Sequence, residues 1–246
     1  MKLRFRYVLI GLAAILLLAV GGFVVWAANP LGPGEQALAA LETGSNVSVD
    51  VGDPIIFLPT NSNPDTGFIF YPGGRVDYRS YAQPLHQIAS RGYLVVSVRA
   101  PLNLMVFDPN QAEEIIPQFP QIKHWAIGGH SLGGAMAANY LYNHPDSADG
   151  LILWASYPAK DNNLSASGIK VLSIYGSLDM GGMEPFVTSR PLLPADTTWV
   201  MIEGGNHAQF GNYGFQPGDN TATISPEEQQ ALVVSATTMF LKMLDR

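Results

Sequence analysis

The sequence predicts an α/β fold, with a mostly parallel sheet of eight strands and helices on both faces. Short apolar runs alternate with helix-like segments from residue 47 onward. Several runs, such as residues 67–71 and 93–98, are apolar almost throughout, which is typical of strands buried on both faces. The length of 246 residues suits one such domain of about 200 residues with an N-terminal extension.

The order of the elements indicates an antiparallel start followed by parallel strands. The first run alternates valine with polar residues, as an exposed edge strand does, and residues 52–54 form a link short enough for antiparallel pairing. We expect strands at residues 47–51, 55–58, 67–71, 93–98, 125–128, 150–154, 170–175 and 198–202. We expect helices at residues 78–91, 108–119, 132–144, 184–193 and 225–244.

The N-terminus predicts a membrane anchor. Residues 7–28 carry no charge and are long enough to cross a bilayer as a helix of roughly 20 residues. Basic residues precede this run and no charge follows until Glu35, which places the N-terminus inside and the domain outside the cell. A cleaved signal peptide and a buried core helix are the alternatives. We therefore divide the chain into an anchor (1–28), a linker with a short helix (29–46) and an α/β domain (47–246).

Composition and charge exclude several kinds of function. Three of the 13 basic residues precede the apolar run, so the remainder carries 10 basic and 20 acidic groups, which argues against a nucleic-acid partner. There is no cysteine, hence no disulfide and no thiol nucleophile. H-E-x-x-H, Walker-A and G-x-G-x-x-G patterns are missing from the sequence, and we expect neither a metal nor a cofactor.

The most informative stretch is Gly129-His130-Ser131-Leu132-Gly133. It matches the G-x-S-x-G pattern, in which a strand turns sharply into a helix and presents a serine at the edge of a sheet. The glycines are needed where side chains would collide with the adjoining strand and helix. An ordinary glycine-rich helix start is the alternative interpretation.

This stretch resembles the nucleophile region of the α/β-hydrolase superfamily. Residues 70–74, 175–179 and 203–207 fall where that superfamily has its other functional segments. The similarity extends over about residues 47–245 and is greatest to small bacterial members without a lid domain. It implies a serine nucleophile, followed along the chain by an acid and then a histidine.

The acid and the base are assigned by chain order. Asp179 follows the strand that ends at Tyr175, at the sheet edge where ligands bind in open α/β folds, and Asp161 is its rival. His207 is the histidine that lies directly after a strand and downstream of the acid. The predicted catalytic residues are therefore Ser131, Asp179 and His207, although a structural loop histidine is the alternative for His207.

Two backbone amides are expected to hold the oxyanion. One belongs to Leu132, directly after the nucleophile, and the other to the loop after the third strand. In that loop we favour Gly74 over Arg75, with a plain tight turn as the alternative. His130 is interpreted as a packing residue that points away from the nucleophile, and Asp219 as a turn residue.

These features predict an extracytoplasmic, membrane-tethered serine hydrolase that cleaves an ester-type bond of a small acyl substrate. An acyltransferase with the same residues, or a non-catalytic binding protein on this fold, is the alternative. Residues 155–169 barely suffice for a parallel crossover of about a dozen residues, so no cap domain is expected. The cleft should be open and mildly apolar, with a rim formed by Leu102, Leu104, Met105, Met180, Met183 and Phe186.

Overall fold

The structure, a computed structural model, describes residues 2–244. Its α-helices are α1 (Lys2–Ala27), α2 (Glu35–Ala39), α3 (Ala82–Ala89), α4 (Gln111–Ile115), α5 (Leu132–Asn143), α6 (Glu184–Ser189) and α7 (Pro226–Leu244). Its strands are β1 (Val47–Val51), β2 (Ile55–Pro59), β3 (Thr66–Tyr71), β4 (Leu94–Ser97), β5 (His124–His130), β6 (Gly150–Trp154), β7 (Lys170–Gly176) and β8 (Thr198–Ile202).

The eight strands form one sheet in the order β1-β2-β4-β3-β5-β6-β7-β8. β2 pairs antiparallel with β1 and with β4, whereas the remaining pairs, from β4 to β8, are parallel. The predicted fold class is confirmed. Because β3, β5, β6, β7 and β8 run in the same direction, their carboxyl ends lie at one edge of the sheet, and the loops that follow them meet there.

Alternate side chains of each central strand enter two different cores. Phe68 and Phe70 of β3 pack in the layer that contains α3 and α7, whereas Ile69 and Tyr71 pack in the layer that contains α5. All four side chains are fully buried. Burial on both faces explains why these runs are apolar throughout, and each large side chain contributes roughly 1.5–3 kcal/mol.

Three predicted helices are shorter than expected, and the one predicted at 184–193 consists of α6 followed by a 3₁₀ turn at Arg190–Leu192. The predicted helix 78–91 begins as a 3₁₀ turn at Tyr78–Tyr81, capped by Asp77, before α3 starts at Ala82. The predicted helix 108–119 contains only α4 and a 3₁₀ turn at Ile116–Gln118. Pro117 has no amide hydrogen to donate to the carbonyl four residues before it, so the α-helical hydrogen bonding ends here.

The N-terminal segment is a long apolar helix followed by a segment that contacts the domain. Within α1, Leu9–Ala27 has a mean hydropathy of 2.6, and its large apolar side chains are exposed. The region expected to be a linker contains α2, whose Ala37 is fully buried. Gly34 N donates to Asn212 O at 2.6 Å, so this region lies against the domain.

The connection between β6 and β7 carries no inserted domain. Residues 155–169, which connect β6 to β7, contain no helix or strand. Within residues 2–244 there is accordingly no cap domain, as predicted.

Candidate active site

Ser131 lies at a sharp turn between β5 and α5. Its backbone has φ 51° and ψ −121°. This conformation is unfavourable by about 1–3 kcal/mol for a non-glycine residue, which adopts it only when its surroundings enforce it. Two hydrogen bonds do so here. Ser131 N donates to Trp154 O at 2.9 Å, and the Ser156 hydroxyl donates to Ser131 O at 2.6 Å. The predicted elbow is therefore present.

The glycines of the motif allow α5 to approach the end of β3. A Cβ on Gly129 would collide with the Tyr71 carbonyl, and one on Gly133 would collide with the carbonyls of both Tyr71 and Pro72. No side chain can be accommodated at either position. The loop after β3 consequently lies directly against the start of α5.

Asp179 and His207 form a buried hydrogen-bonded pair. His207 Nδ1 lies 2.9 Å from Asp179 Oδ2, and the two side chains are only 6% and 4% exposed. A carboxylate only accepts, so Nδ1 carries the proton and Nε2 of the neutral ring is an acceptor. Gly181 N donates to the other carboxylate oxygen at 3.1 Å. The rival carboxylate, Asp161, is exposed and makes no hydrogen bond to His207.

Ser131 and His207 line the same pocket but are not hydrogen-bonded. His207 Nε2 is buried without a hydrogen-bond partner in the described part of the chain, Ser131 Oγ included. An unpaired buried acceptor is unfavourable, by about 1–3 kcal/mol, unless a partner reaches it. The structure thus brings the predicted acid and the predicted base into contact and leaves Nε2 of His207 without a hydrogen-bond partner.

The loop that carries His207 is held by a carboxylate that sequence reasoning assigned only to a turn. Asp219 accepts from His207 N at 3.3 Å and from Ala208 N at 2.7 Å. It does lie in a turn, because its amide donates to Gln216 O. Its hydrogen bonds to the His207 loop depend on the irregular path of residues 211–218, for which the sequence gives no periodic signal.

The loop that carries His207 is also held by a residue of α7. Gln229, which is fully buried, accepts from Asn206 N at 3.0 Å and donates to Asn206 O at 2.8 Å. The Asn206 side chain in turn donates to Asn220 O and accepts from Gln209 N. The residue before His207 is therefore fixed on both its backbone and its side chain.

The amides near the predicted oxyanion site have different partners. Leu132 is the first residue of α5, where an amide has no intrahelical acceptor. Gly73 N donates to Tyr81 Oη at 3.1 Å, and Arg75 N donates to Asn103 O at 2.7 Å. The Gly74 amide, between them, has no acceptor among residues 2–244. An ideal Cβ on Gly74 would lie 3.0 Å from Leu132 Cδ2, so these two residues are adjacent.

His130 links the two loops beside the elbow. Its Nε2 lies 3.0 Å from His207 O, and its Nδ1 lies 2.9 Å from Tyr81 Oη. Since a carbonyl only accepts, Nε2 carries the proton and Nδ1 accepts from the tyrosine hydroxyl. Burial lowers the pKa of His130 well below its usual value, and the nearby His207 lowers it further. His130 packs on Phe210, as expected of a packing residue, but it also joins the His207 loop to Gly73 through Tyr81.

The pocket around Ser131 has a volume of about 350 Å³. It extends toward Tyr157, Met180 and Phe186 rather than toward the loop after β4. The predicted rim is therefore correct for Met180 and Phe186. It is wrong for the others, since Leu102, Leu104, Met105 and Met183 are not among the lining residues. Met105 is fully buried because its 3₁₀ turn directs it into the core.

Comparisons with solved structures find the same fold at low sequence identity. TT1662 from Thermus thermophilus is 16% identical with a TM-score of 0.57, covering 79% of this chain and 98% of that one. An esterase from Pseudomonas putida ECU1011 is 15% identical with a TM-score of 0.56, covering 85% and 87%. A dienelactone hydrolase-like promiscuous phosphotriesterase, P91 from metagenomic libraries, is 14% identical with a TM-score of 0.57, covering 78% and 92%.

A comparison with curated protein sequences finds no match. A family profile described as the alpha/beta hydrolase family matches residues 67–231. This range contains the elbow, the Asp179–His207 pair and the loop after β3. Because the match spans well over half of the chain, the protein belongs to the alpha/beta hydrolase family.

Proposed function

We propose that the protein is a serine hydrolase that cleaves an ester-type acyl bond of a small molecule through an acyl-enzyme. The observation that carries this proposal is the buried Asp179–His207 pair, whose free Nε2 lies in the same pocket as Ser131. A serine hydroxyl is a weak nucleophile unless a base removes its proton and a third group orients that base. The arrangement supplies all three groups.

In the proposed mechanism, Ser131 Oγ attacks the acyl carbon while His207 Nε2 takes its proton. Asp179 keeps the proton on Nδ1 and stabilises the imidazolium that forms. The developing oxyanion accepts hydrogen bonds from the amides of Leu132 and Gly74, and the start of α5 adds its dipole. Nε2 then returns the proton to the leaving group, and water, activated by the same base, resolves the acyl-enzyme. We expect the Ser131–His207 hydrogen bond to form as substrate fills the pocket.

The pocket and the neighbours favour an ester with a modest acyl group. The structural neighbours from Pseudomonas putida and Thermogutta terrifontis are described as esterases. Tyr157, Met180 and Phe186 offer apolar contact in a pocket of about 350 Å³, where each buried methylene adds roughly 0.8 kcal/mol. The uncovered cleft admits water, which favours hydrolysis over transfer of the acyl group to another acceptor.

We also propose that α1 is retained as a membrane anchor, with the catalytic domain outside the cytoplasm. Asn103 Nδ2 donates to Ala27 O at 2.9 Å. Arg75 donates to Trp26 O at 3.0 Å and to Asn29 O at 2.7 Å. These bonds span the position at which a signal peptidase would cut. Cleavage would remove two of the three acceptors, so the contacts favour an intact chain.

The anchor is tested by fractionation. The full-length protein should sediment with membranes and resist carbonate extraction, because an apolar helix of this length does not leave a bilayer at high pH. Intact-mass analysis should show a chain that still contains residues 7–28. A mature chain beginning near Ala28 would instead identify a secreted enzyme.

Replacing the nucleophile tests the proposed mechanism directly. Ser131→Ala should lower esterase turnover by at least ~10⁴-fold and abolish labelling by a fluorophosphonate probe, because the triad acts as a unit. Ser165→Ala, at an exposed serine, is the matched control and should label normally. Persistent labelling of Ser131→Ala would show that another residue is the nucleophile.

The choice of acid is tested by a pair of isosteric changes. Asp179→Asn should reduce kcat by up to about 10⁴-fold, since an amide no longer holds His207 in the tautomer that leaves Nε2 free. Asp161→Asn should leave kcat within twofold, because that carboxylate is exposed and does not contact His207. A larger loss for Asp161→Asn would assign the acid to the preceding loop.

Tyr81 is a positioning residue in the proposed mechanism. Tyr81→Phe keeps the buried ring but removes the hydroxyl that joins Gly73 to His130. A lost hydrogen bond of about 0.5–1.5 kcal/mol corresponds to roughly a two- to thirteenfold fall in kcat, with little change in KM. Tyr78→Phe, which loses a hydrogen bond to Gly52 O away from the site, is the control. Equal kcat values for the two variants would contradict this role.

A further inference from the structure

An apolar loop lies beside the end of α1. Residues 101–107 form two 3₁₀ turns, Pro101–Asn103 and Met105–Phe107. Three of their large apolar side chains are exposed, with Leu102 at 38%, Val106 at 47% and Phe107 at 51%. The loop carries no charge between Arg99 and Asp108. An uncharged loop with several exposed apolar side chains is typical of a surface that meets an apolar partner.

This loop is joined to α1 by several kinds of contact. The Phe107 ring packs edge-on against Phe23 at a centroid distance of 6.2 Å. Asn103 donates to Ala27 O, and its own carbonyl accepts from Arg75 N. The Arg75 guanidinium lies 4.2 Å from the centre of the Trp26 ring and also donates to Trp26 O. The loop and the last turn of α1 therefore form one unit.

The contact with Phe23 indicates how deep in a bilayer the loop would lie. Phe23 precedes Trp26 by three residues, or about 4.5 Å along a helix that rises 1.5 Å per residue. Tryptophan at the end of a membrane-spanning helix lies at the level of the lipid headgroups. A side chain that packs on Phe23 therefore lies at the boundary between headgroups and acyl chains.

We propose that Leu102, Val106 and Phe107 insert into the outer interface of the membrane beside α1. The domain would then contact lipid at two places, through α1 and through this loop. The inference rests on the proposed anchor, and it does not depend on the proposed chemistry. A bilayer is favoured over a second copy of the chain because the loop is continuous with the apolar surface of α1.

The loop also lies next to the proposed oxyanion site. An ideal Cβ on Gly74 would lie 3.6 Å from Leu104 Cδ2. Arg75, which follows Gly74, donates its amide to Asn103 O. Insertion of the loop would therefore hold this side of the active site close to the membrane surface.

Because the chain contains no cysteine, single labels can be placed without a background. Val106→Cys and Phe107→Cys would be made in the full-length protein, labelled with an environment-sensitive fluorophore and reconstituted in phosphatidylcholine vesicles. Met239→Cys is the control. Met239 is an apolar residue of α7 whose side chain is 68% exposed, and it lies near Thr198, the first residue of β8. Labels at 106 and 107 should be quenched by nitroxide-bearing lipids several-fold more than the label at 239. They should also be several-fold less sensitive to aqueous iodide.

Three results would overturn the proposal. Labels at 106 and 107 that respond like the label at 239 would show that the loop faces water. Protection from both quenchers would show that protein, such as a second copy, covers the loop. A mature chain that begins near Ala28 would lack the anchor, and the proposed insertion would then be wrong. Thermal unfolding of each variant checks the fold, and fluorophosphonate labelling, measured separately, reports on the proposed chemistry alone.

Discussion

The close approach of α5 to the end of β3 is the constraint on which the rest of the active-site region depends. Gly129 and Gly133 leave no room for a Cβ, and the carbonyls of Tyr71 and Pro72 occupy that space. Together with the hydrogen bonds from Ser131 N to Trp154 O and from Ser156 to Ser131 O, this contact holds the unusual backbone of Ser131, and it brings the Gly74 loop beside the first residue of α5. Both halves of a prospective oxyanion site thus result from one packing contact. Their donors are set before any substrate arrives, which is what electrostatic stabilisation requires.

The opposite wall of the site is held by polar groups. Asp219 and Gln229 hold the backbone around His207 by hydrogen bonds. His130, which lies beside the elbow, donates to the carbonyl of His207. Hydrogen bonds in such dry surroundings are strong, and a missing partner is correspondingly unfavourable. The backbone around His207 is hydrogen-bonded at several points, whereas three side-chain atoms of this loop are buried without a partner in the described part of the chain: His207 Nε2, Gln209 Oε1 and Asn212 Oδ1. Among these three residues, His207 is the one that also lines the pocket around Ser131.

Much of the fold could be predicted because its signals are local. Each strand is an apolar run, and the elbow is encoded in five consecutive residues. Asp179 was placed by the order of strands, and the structure puts it in contact with His207, although the catalytic roles stay predictions. The hydrogen bonds from the His207 loop to Asp219 could not be predicted, because they depend on the path of an irregular loop that brings Asp219 back to His207. The burial of Met105 was missed for the same reason, since a 3₁₀ turn has no extended periodicity.

Arg75 connects the N-terminal apolar helix to the candidate active site. Its φ of 56° is unusual for a side chain of this size, and its backbone is bonded on both sides. Its amide donates to Asn103 O, and its carbonyl accepts from Leu31 N at 2.8 Å. Its guanidinium is held by the carbonyls at the end of α1. The Gly73 and Arg75 amides both have acceptors, whereas the amide of Gly74 has none among residues 2–244. The end of the apolar helix is therefore part of the structure that orients this loop, which is a role separate from the proposed membrane attachment.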